Sequence, residues 1–504
     1  MKMDSAISED GSAASDTAIT ETGSSQTWSR RKQELHKTTN GLAQDWDNWI
    51  ARNSYFHESD ARYLRFVIPD GSRVLELGCA SGWMLNKLKP AVGVGVDFSE
   101  NLIEVAQKKY PDYTFLCGDI EDAELVQTIK QHGPFDYIVL ADTIGYLDDI
   151  IETLKLTNGL CHAETRLVVS HYSHLWEPVL RLAETLRLRK PVNRDYSWLS
   201  QRDIEMFLGL SGYETVKKEY RQLLPRRLLG VGSIINQLIA PLPIIRNLCL
   251  RTFTVARSVE VDRSNKPSIS VVVPVRNEQG NVKPAIDRIP EFGATTEIIF
   301  VEGNSQDGTW EEVLRQKEAH PHLNIVTLKQ PGKGKGDAVW TAFDAANSDI
   351  LMILDGDLTV PPEDLTKFYE AIASGKGEFV NGTRLVYPLE KDAMRFLNYL
   401  ANHAFARIFS YLLNQRFSDT LCGTKVISRT NYKKLQAGRT YFGDFDPFGD
   451  FDLLFGSAKL NLKIVEIPVR YRARAYGETQ ISRFRHGVLL LRMVFFAFRK
   501  LKMI

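Results

Sequence analysis

The chain has 504 residues, 43% of them hydrophobic, with 63 Lys and Arg against 62 Asp and Glu for a formal net charge of +1. That length favours two or three cores over one, and the balanced charge excludes a partner chosen by bulk electrostatics, so no nucleic acid is expected. The cysteines, Cys79, Cys117, Cys161, Cys249 and Cys422, form no CxxC pair, which points to a reducing, cytoplasmic setting rather than a disulfide framework or zinc site.

Residues 1–27 are rich in Ser, Ala, Thr and acids without an apolar run, the composition of a disordered tail and not of a signal peptide. From Trp28 to Pro69 the pattern is helical. Strand and helix signals then alternate through Arg73–Leu77, Trp83–Leu88, Val92–Asp97, 101–108 and 135–140, and again from Ser268 through SISVVVPV, EIIFVEG, NIVTLKQ, DILMILDGD and EFVNGTRL. Alternation of this kind predicts an α/β protein of two doubly wound parallel sheets. The expected division is a first domain over 28–225, an apolar or amphipathic connector and linker over 226–267, and a second domain over 268–504. Pro241 and Pro243 interrupt the apolar stretch 228–250, and the stretch 487–498 falls short of the roughly 20 residues a spanning helix needs. No transmembrane helix is expected.

In the first half Glu76-Leu-Gly78-Cys-Ala80-Ser-Gly82 follows a strand and precedes a helix, so its backbone can approach a ligand beneath a helix N-terminus. Asp97 ends the next strand, where an acid can bridge a ribose diol, and Asp119 ends a third. VLELGCASG, GVDFSENLIEVA and CGDIED together resemble the class I methyltransferases. The resemblance implies S-adenosylmethionine bound by Glu76, Gly78, Ala80, Gly82, Asp97 and Asp119, with Ala80 standing where a third glycine is usual. His171, His174, Tyr172 and Asp142 are either acceptor-side residues or ordinary packed and surface groups.

In the second half Asp355-Gly-Asp357 follows an apolar strand and precedes Pro361-Pro362. Carboxylates at i and i+2 can hold a hard divalent cation against a diphosphate. Three further strand ends carry polar loops: Pro274, Arg276, Asn277 and Glu278; Glu302 and Asp307; and the glycine loop with Lys333 and Lys335. All suit a nucleotide at the C-terminal edge of an α/β sheet. These motifs are similar to those of family 2, GT-A type glycosyltransferases, and DGDLTVPPEDL, SDTLCGTKVISR and VRYRARAYGETQISRFRHG resemble the polyprenyl-phosphate sugar transferases within it.

That resemblance implies a nucleoside diphosphate sugar donor, Mg2+ or Mn2+ on Asp355 and Asp357, and Asp419 in the active site. It also implies a lipid-phosphate acceptor met by Arg472, Arg474, Arg483 and Arg485. Asp450 and Asp452 of FGDFDLLF are either the base for a hydroxyl acceptor or acids at a helix N-terminus. Glu302-Gly303 stands where relatives carry two aspartates. The segment HGVLLLRMVFFAFRKLKMI is either an interfacial helix, its Arg499, Lys500 and Lys502 facing anionic lipid, or a core helix; a peripheral place on the cytoplasmic face of a membrane follows from the first. The expected whole is a sugar transferase fused to a methyltransferase, in envelope glycolipid or polysaccharide precursor synthesis, with a non-catalytic role for either half as the alternative.

Overall fold

The computed structural model describes residues 28–188, 196–260, 266–388, 396–441, 449–474, 476 and 483–504, with backbone alone at 396–398, 440, 450 and 483–487. The tail expected at 1–27 lies outside the described residues.

The first sheet contains β1 (Arg73–Leu77), β2 (Val92–Asp97), β3 (Thr114–Cys117), β4 (Tyr137–Ala141), β5 (Arg166–Tyr172), β6 (Tyr213–Arg221) and β7 (Arg251–Ser258), in the order β3-β2-β1-β4-β5-β7-β6. The strands β1 to β5 are parallel. Their sequences are apolar on both faces, as strands covered by helices on both sides must be: Leu75, Val94, Ile138 and Leu167 enter one core, and Val74, Val139 and Val168 the other. Strand β7 runs antiparallel between β5 and β6. Two expectations are corrected here. The sheet is mixed, and the 226–267 segment is not connector throughout, because Arg251–Ser258 is an inner strand of the first sheet.

The second sheet contains β8 (Ile269–Val275), β9 (Thr296–Glu302), β10 (Asn324–Lys329), β11 (Ile350–Ile353), β12 (Phe379–Thr383), β13 (Lys425–Ser428) and β14 (Ile464–Pro468), ordered β10-β9-β8-β11-β13-β12-β14. It too is mixed, since β13 runs antiparallel to β11 and β12. In each sheet the chain order reverses at the first strand, beside β1 and beside β8, and that reversal opens a crevice at the strand C-terminal ends.

Buried ionic contacts join the halves. Arg166 lies 2.7 Å from Glu378 and donates to the Asn461 carbonyl at 2.8 Å, while Arg257 donates to the carbonyls of Gly375 and Lys376 at 2.9 and 3.0 Å. Lys502 pairs with Glu219 at 2.9 Å and is 1% exposed, which corrects its expected place in a lipid-facing basic cluster. The helix Arg483–Leu501 buries Met493, Ala497 and Leu501 in the second core yet exposes Val488, Leu491 and Phe495. Among the described residues no helix is long and apolar enough to cross a membrane.

Candidate active sites

At the β1 crevice lies a cavity of about 410 Å³ lined by Glu76, Gly78, Ala80, Asp97 and Asp119, a size suited to a small molecule. Gly78 and Gly82 sit at φ +81° and +72°, and a Cβ on Gly82 would stand 2.8 Å from the Phe115 ring. Gly82 caps the Trp83–Leu88 helix. Ala80 holds the left-handed φ of 47°, where a Cβ is strained. Asp97 stops this turn from relaxing: Ala80 N–H donates to its Oδ2 at 2.8 Å and Ser99 N–H to its Oδ1 at 3.0 Å. Burial pushes the Glu76 carboxyl up to about 8. These groups fit an adenosyl cofactor, with glycine turns beneath a helix N-terminus and an anchored carboxylate at the end of β2.

The cavity wall also uses residues the motifs did not reveal. Lys32, from the Arg30–Gly41 helix, lies 2.6 Å from Asp119 and also pairs with Glu121. Trp46, Trp49, Phe56 and His57 descend from the following helices. Burial holds the His57 imidazole near 4, so it is neutral at physiological pH. Asp142 lines the cavity at φ 62° and pairs with Arg251, which is 1% exposed and also reaches Asp60 at 2.8 Å. Tyr172 lines the cavity. His171 does not; it is 1% exposed inside β5, where its Nε2 lies 3.3 Å from Thr252 Oγ1. His174, exposed in a short turn, is likewise outside the lining.

At the β8 crevice Asp355 and Asp357 stand just past β11. A Cβ on Gly356 would lie 2.6 Å from the Pro274 carbonyl oxygen, so the absence of a side chain lets the turn rest on β8. Leu358 follows at φ 52°, a strained backbone of the kind found at functional sites. Lys335, the first residue of the Lys335–Ala345 helix, lies 2.6 Å from Asp355, and Arg474 lies 2.6 Å from Asp357. Asp357 also accepts from Thr359 N–H at 3.1 Å and Thr359 Oγ1 at 2.8 Å. Burial raises the Asp355 carboxyl, but Lys335, Lys425 and Arg384 outweigh it and hold the group below the usual carboxylate range.

The neighbouring loops are tied together. Asn277 N–H donates to Ser305 Oγ at 3.0 Å, Gln306 N–H donates to Asn277 Oδ1 at 2.8 Å, and Ser305 N–H donates to Glu302. Glu278 N–H donates to Thr309 Oγ1 at 3.0 Å, and Thr309 N–H to Asp307 Oδ1 at 3.1 Å. Glu278 is pushed up to about 7, by burial first and then by Asp357 and Asp307 nearby, against the lowering pull of Asn281 and Arg474. Arg276 and Lys333 are exposed at the loop tips.

Two expected catalytic acids stand differently. Asp419 is fully buried, its carboxylate accepting from Arg384 at 2.6 and 2.9 Å, so it holds Arg384 in place. Asp452 is 5% exposed and faces Arg439 at 3.5 Å, in the first turn of the Asp450–Lys459 helix. Asp450 opens the Asp450–Lys459 helix, and the adjoining Gly449 packs on Gly336, so that a Cβ there would lie 2.7 Å from the Gly336 Cα. Arg472 anchors its segment by donating its backbone N–H to the Thr359 carbonyl at 3.0 Å. The side chains of Asp450, Arg483 and Arg485 lie outside the described residues. Arg384, in EFVNGTRL, and Gly423 and Lys425, in SDTLCGTKVISR, carry no site role in the sequence reading; the signal for the last two was the CGTK tetrapeptide, whose glycine abuts Asp355 and Lys335.

Glycosyl transferase family 2 matches residues 270–435, and a methyltransferase domain matches residues 50–218. A dolichyl-phosphate hexose transferase of Haloferax volcanii is 30% identical over 225 residues, 44% of this chain and 90% of that protein. The chain belongs to glycosyltransferase family 2. This family 2 enzyme is also 34% identical over 221 residues to a dolichol-phosphate mannosyltransferase of Pyrococcus furiosus, covering 42% of the chain and 59% of that protein. A solved SAM-dependent methyltransferase of Thermotoga maritima is 17% identical, covering 44% of the chain and 99% of its own, with TM-score 0.34. By its two family matches, the enzyme carries a methyltransferase domain ahead of its glycosyltransferase domain.

Proposed function

We propose that the second half transfers a sugar from a nucleoside diphosphate sugar to a polyprenyl phosphate, inverting the anomeric carbon, and that the first half methylates with S-adenosylmethionine. The observation that carries the first part is the pair Asp355 and Asp357, each holding one cation, Lys335 and Arg474, at the sheet crevice. Among the described residues no group of three or more His, Cys, Asp and Glu could hold a metal. Two carboxylates fit an ion that brings its remaining oxygens from a diphosphate, the usual manner of Mg2+. Mg2+ or Mn2+ held by Asp355 and Asp357 would supply charge neutralisation to the departing diphosphate.

Lys335 and Arg474 leave the carboxylates on loading and turn to phosphate oxygens: Lys335 to the leaving diphosphate, and Arg474, with Arg472, Arg483 and Arg485, to the acceptor. Pro274, Arg276, Asn277, Glu278, Glu302, Asp307 and Lys333 frame the nucleotide, and Arg384, fixed by Asp419, keeps a permanent positive charge behind Asp355. A phosphate acceptor is already ionised and needs no general base, in keeping with Asp452 facing Arg439; Asp450 is the residue left for a hydroxyl acceptor. Such an acceptor places the enzyme at a membrane surface, on the cytoplasmic side that holds nucleotide sugars.

In the first half Glu76, Gly78, Ala80, Gly82, Asp97 and Asp119 hold the cofactor, which supplies an activated methyl group. Methyl transfer rests mainly on placement. The aromatic wall of Trp46, Trp49 and Phe56 limits water in the cavity.

The pure chain incubated with a membrane lipid extract and a panel of labelled nucleotide sugars tests the main reading. One label should become soluble in organic solvent, only with a divalent ion present, and Asp357→Ala should abolish the transfer. Undiminished transfer by Asp357→Ala would remove the metal assignment.

A further inference from the structure

The cavity also has an apolar side made by elements outside the cofactor motifs. Leu180, Ala183 and Leu188, from the Glu177–Thr185 helix and the residues after it, line that side of the cavity with Leu250, Pro225 and Arg226. Leu180 and Leu250 share a small apolar cluster with Phe56, and Trp176 Nε1 donates to the Leu248 carbonyl at 2.8 Å. The helix and the 225–250 segment thus meet at the cavity mouth.

Outside the mouth both elements turn apolar side chains to solvent. Val179, Leu182 and Leu186 are 52%, 60% and 59% exposed on the helix, and Ile234, Ile244 and Leu248 are 58%, 85% and 55% exposed on the segment. At its tip Leu228 and Leu229 hold φ of 44° and 55°, with Leu229 107% exposed. Two consecutive leucines in a strained left-handed turn that aims them outward, with Arg226 and Arg227 exposed just before them, is an expensive arrangement for a surface meant to face water.

Charge selects the occupant. From Tyr220 to Val259 the sequence has no Asp or Glu, while Arg226 and Arg227 flank the leucine tip. Glu177 of the helix is neutralised by Arg181 at 2.6 Å. An apolar tip with an arginine collar, on a segment without acids and beside a helix whose acids are Glu177 and Glu184, matches a bilayer of anionic lipid, where the leucines enter the acyl region and the arginines meet head groups. We infer that this face docks the methyltransferase half on an anionic bilayer, and that its methyl acceptor is a membrane amphiphile entering the cavity between the Glu177–Thr185 helix and the 225–250 segment. In the transfer the acceptor's nucleophilic atom bonds to the methyl carbon as the carbon–sulfur bond of S-adenosylmethionine breaks with its electron pair left on sulfur. A proton carried by that nucleophile is lost to water. The inference rests on the first half alone and does not depend on the glycosyl acceptor.

Flotation of the full chain with vesicles of phosphatidylcholine, or of phosphatidylcholine mixed with phosphatidylglycerol, tests the docking. The wild type should float with the anionic vesicles. Leu228→Ser/Leu229→Ser, and separately Ile244→Ser, should lower the bound fraction tenfold or more, with S-adenosylmethionine binding by calorimetry unchanged because the altered side chains point to solvent. Leu491→Ser/Phe495→Ser, on the apolar edge of the C-terminal helix, should leave most of the binding intact. Lipids brominated along their acyl chains should quench tryptophan fluorescence in the wild type and not in the leucine variant. Retained flotation by both connector variants, loss only in the C-terminal variant, or conversion of a non-binding dimer to a monomer by the leucine pair would each overturn the inference.

Discussion

Glu76 shows how a single residue carries a measurable consequence of the first site. Its carboxyl is 2% exposed and burial pushes it up to about 8, so at neutral pH it is largely protonated. Its ordinary value is 4.5; between 4.5 and about 8 the folded chain therefore binds more protons than the unfolded one, and the contribution of Glu76 to stability declines as pH rises through that window. A cationic sulfonium and ammonium arriving beside it favour the carboxylate and expel the proton. Calorimetric titration with S-adenosylmethionine at pH 7 should show proton release, seen as an enthalpy that depends on the buffer's ionisation enthalpy. The dependence should vanish in Glu76→Gln; a wild-type enthalpy indifferent to buffer would contradict the assignment. The same logic of local environment separates the histidines: His57 and His171 are both held neutral by burial, but only His57 lines the cavity.

At the scale of elements, β7 corrects the domain boundary and fixes an expectation. Because Arg251–Ser258 lies between β5 and β6, a fragment of residues 28–225 leaves β6 without its neighbour and uncovers the edge of β5. A fragment of residues 28–260 should melt cooperatively by circular dichroism, whereas 28–225 should aggregate or show no transition; cooperative melting of the shorter fragment would contradict this.

The parallel strands β1, β2, β4 and β8 to β11 were legible because their apolar runs sit directly before glycine or acid motifs, whereas β5 and β14 carry no such motif and were not read. The strands β6 and β7 were not, because YETVKKEYR and RTFTVARS carry charges that would read as solvent-facing. Those charges are instead held in ionic partnerships with the other half, such as Glu219 with Lys502 and Arg257 with Glu378. The site motifs were likewise visible where chemistry is local, as in DGD, and invisible where a distant residue completes them, as with Lys32 on Asp119 and Arg384 on Asp419.

Across the whole molecule the two halves are held together by these buried pairs. Glu219 and Lys502 are 4% and 1% exposed, with Asn414 completing the set at 2.8 Å to each. Replacing Glu219 by Ala strands a buried ammonium, at a cost of about 3–5 kcal/mol. Thermal unfolding of Glu219→Ala should show a clear fall in midpoint relative to the wild type; an unchanged midpoint would mean that the pair does not join the halves. The central claim concerns the second site, where Asp355 and Asp357 are held by Lys335 and Arg474 until a diphosphate draws those cations away. Electron paramagnetic resonance of free Mn2+ measures this directly. Added protein alone should leave the Mn2+ signal nearly unchanged, protein with a nucleoside diphosphate should deplete it, and Asp357→Asn should restore it. Mn2+ binding that is equally tight without the diphosphate, or indifferent to Asp357→Asn, would contradict the account.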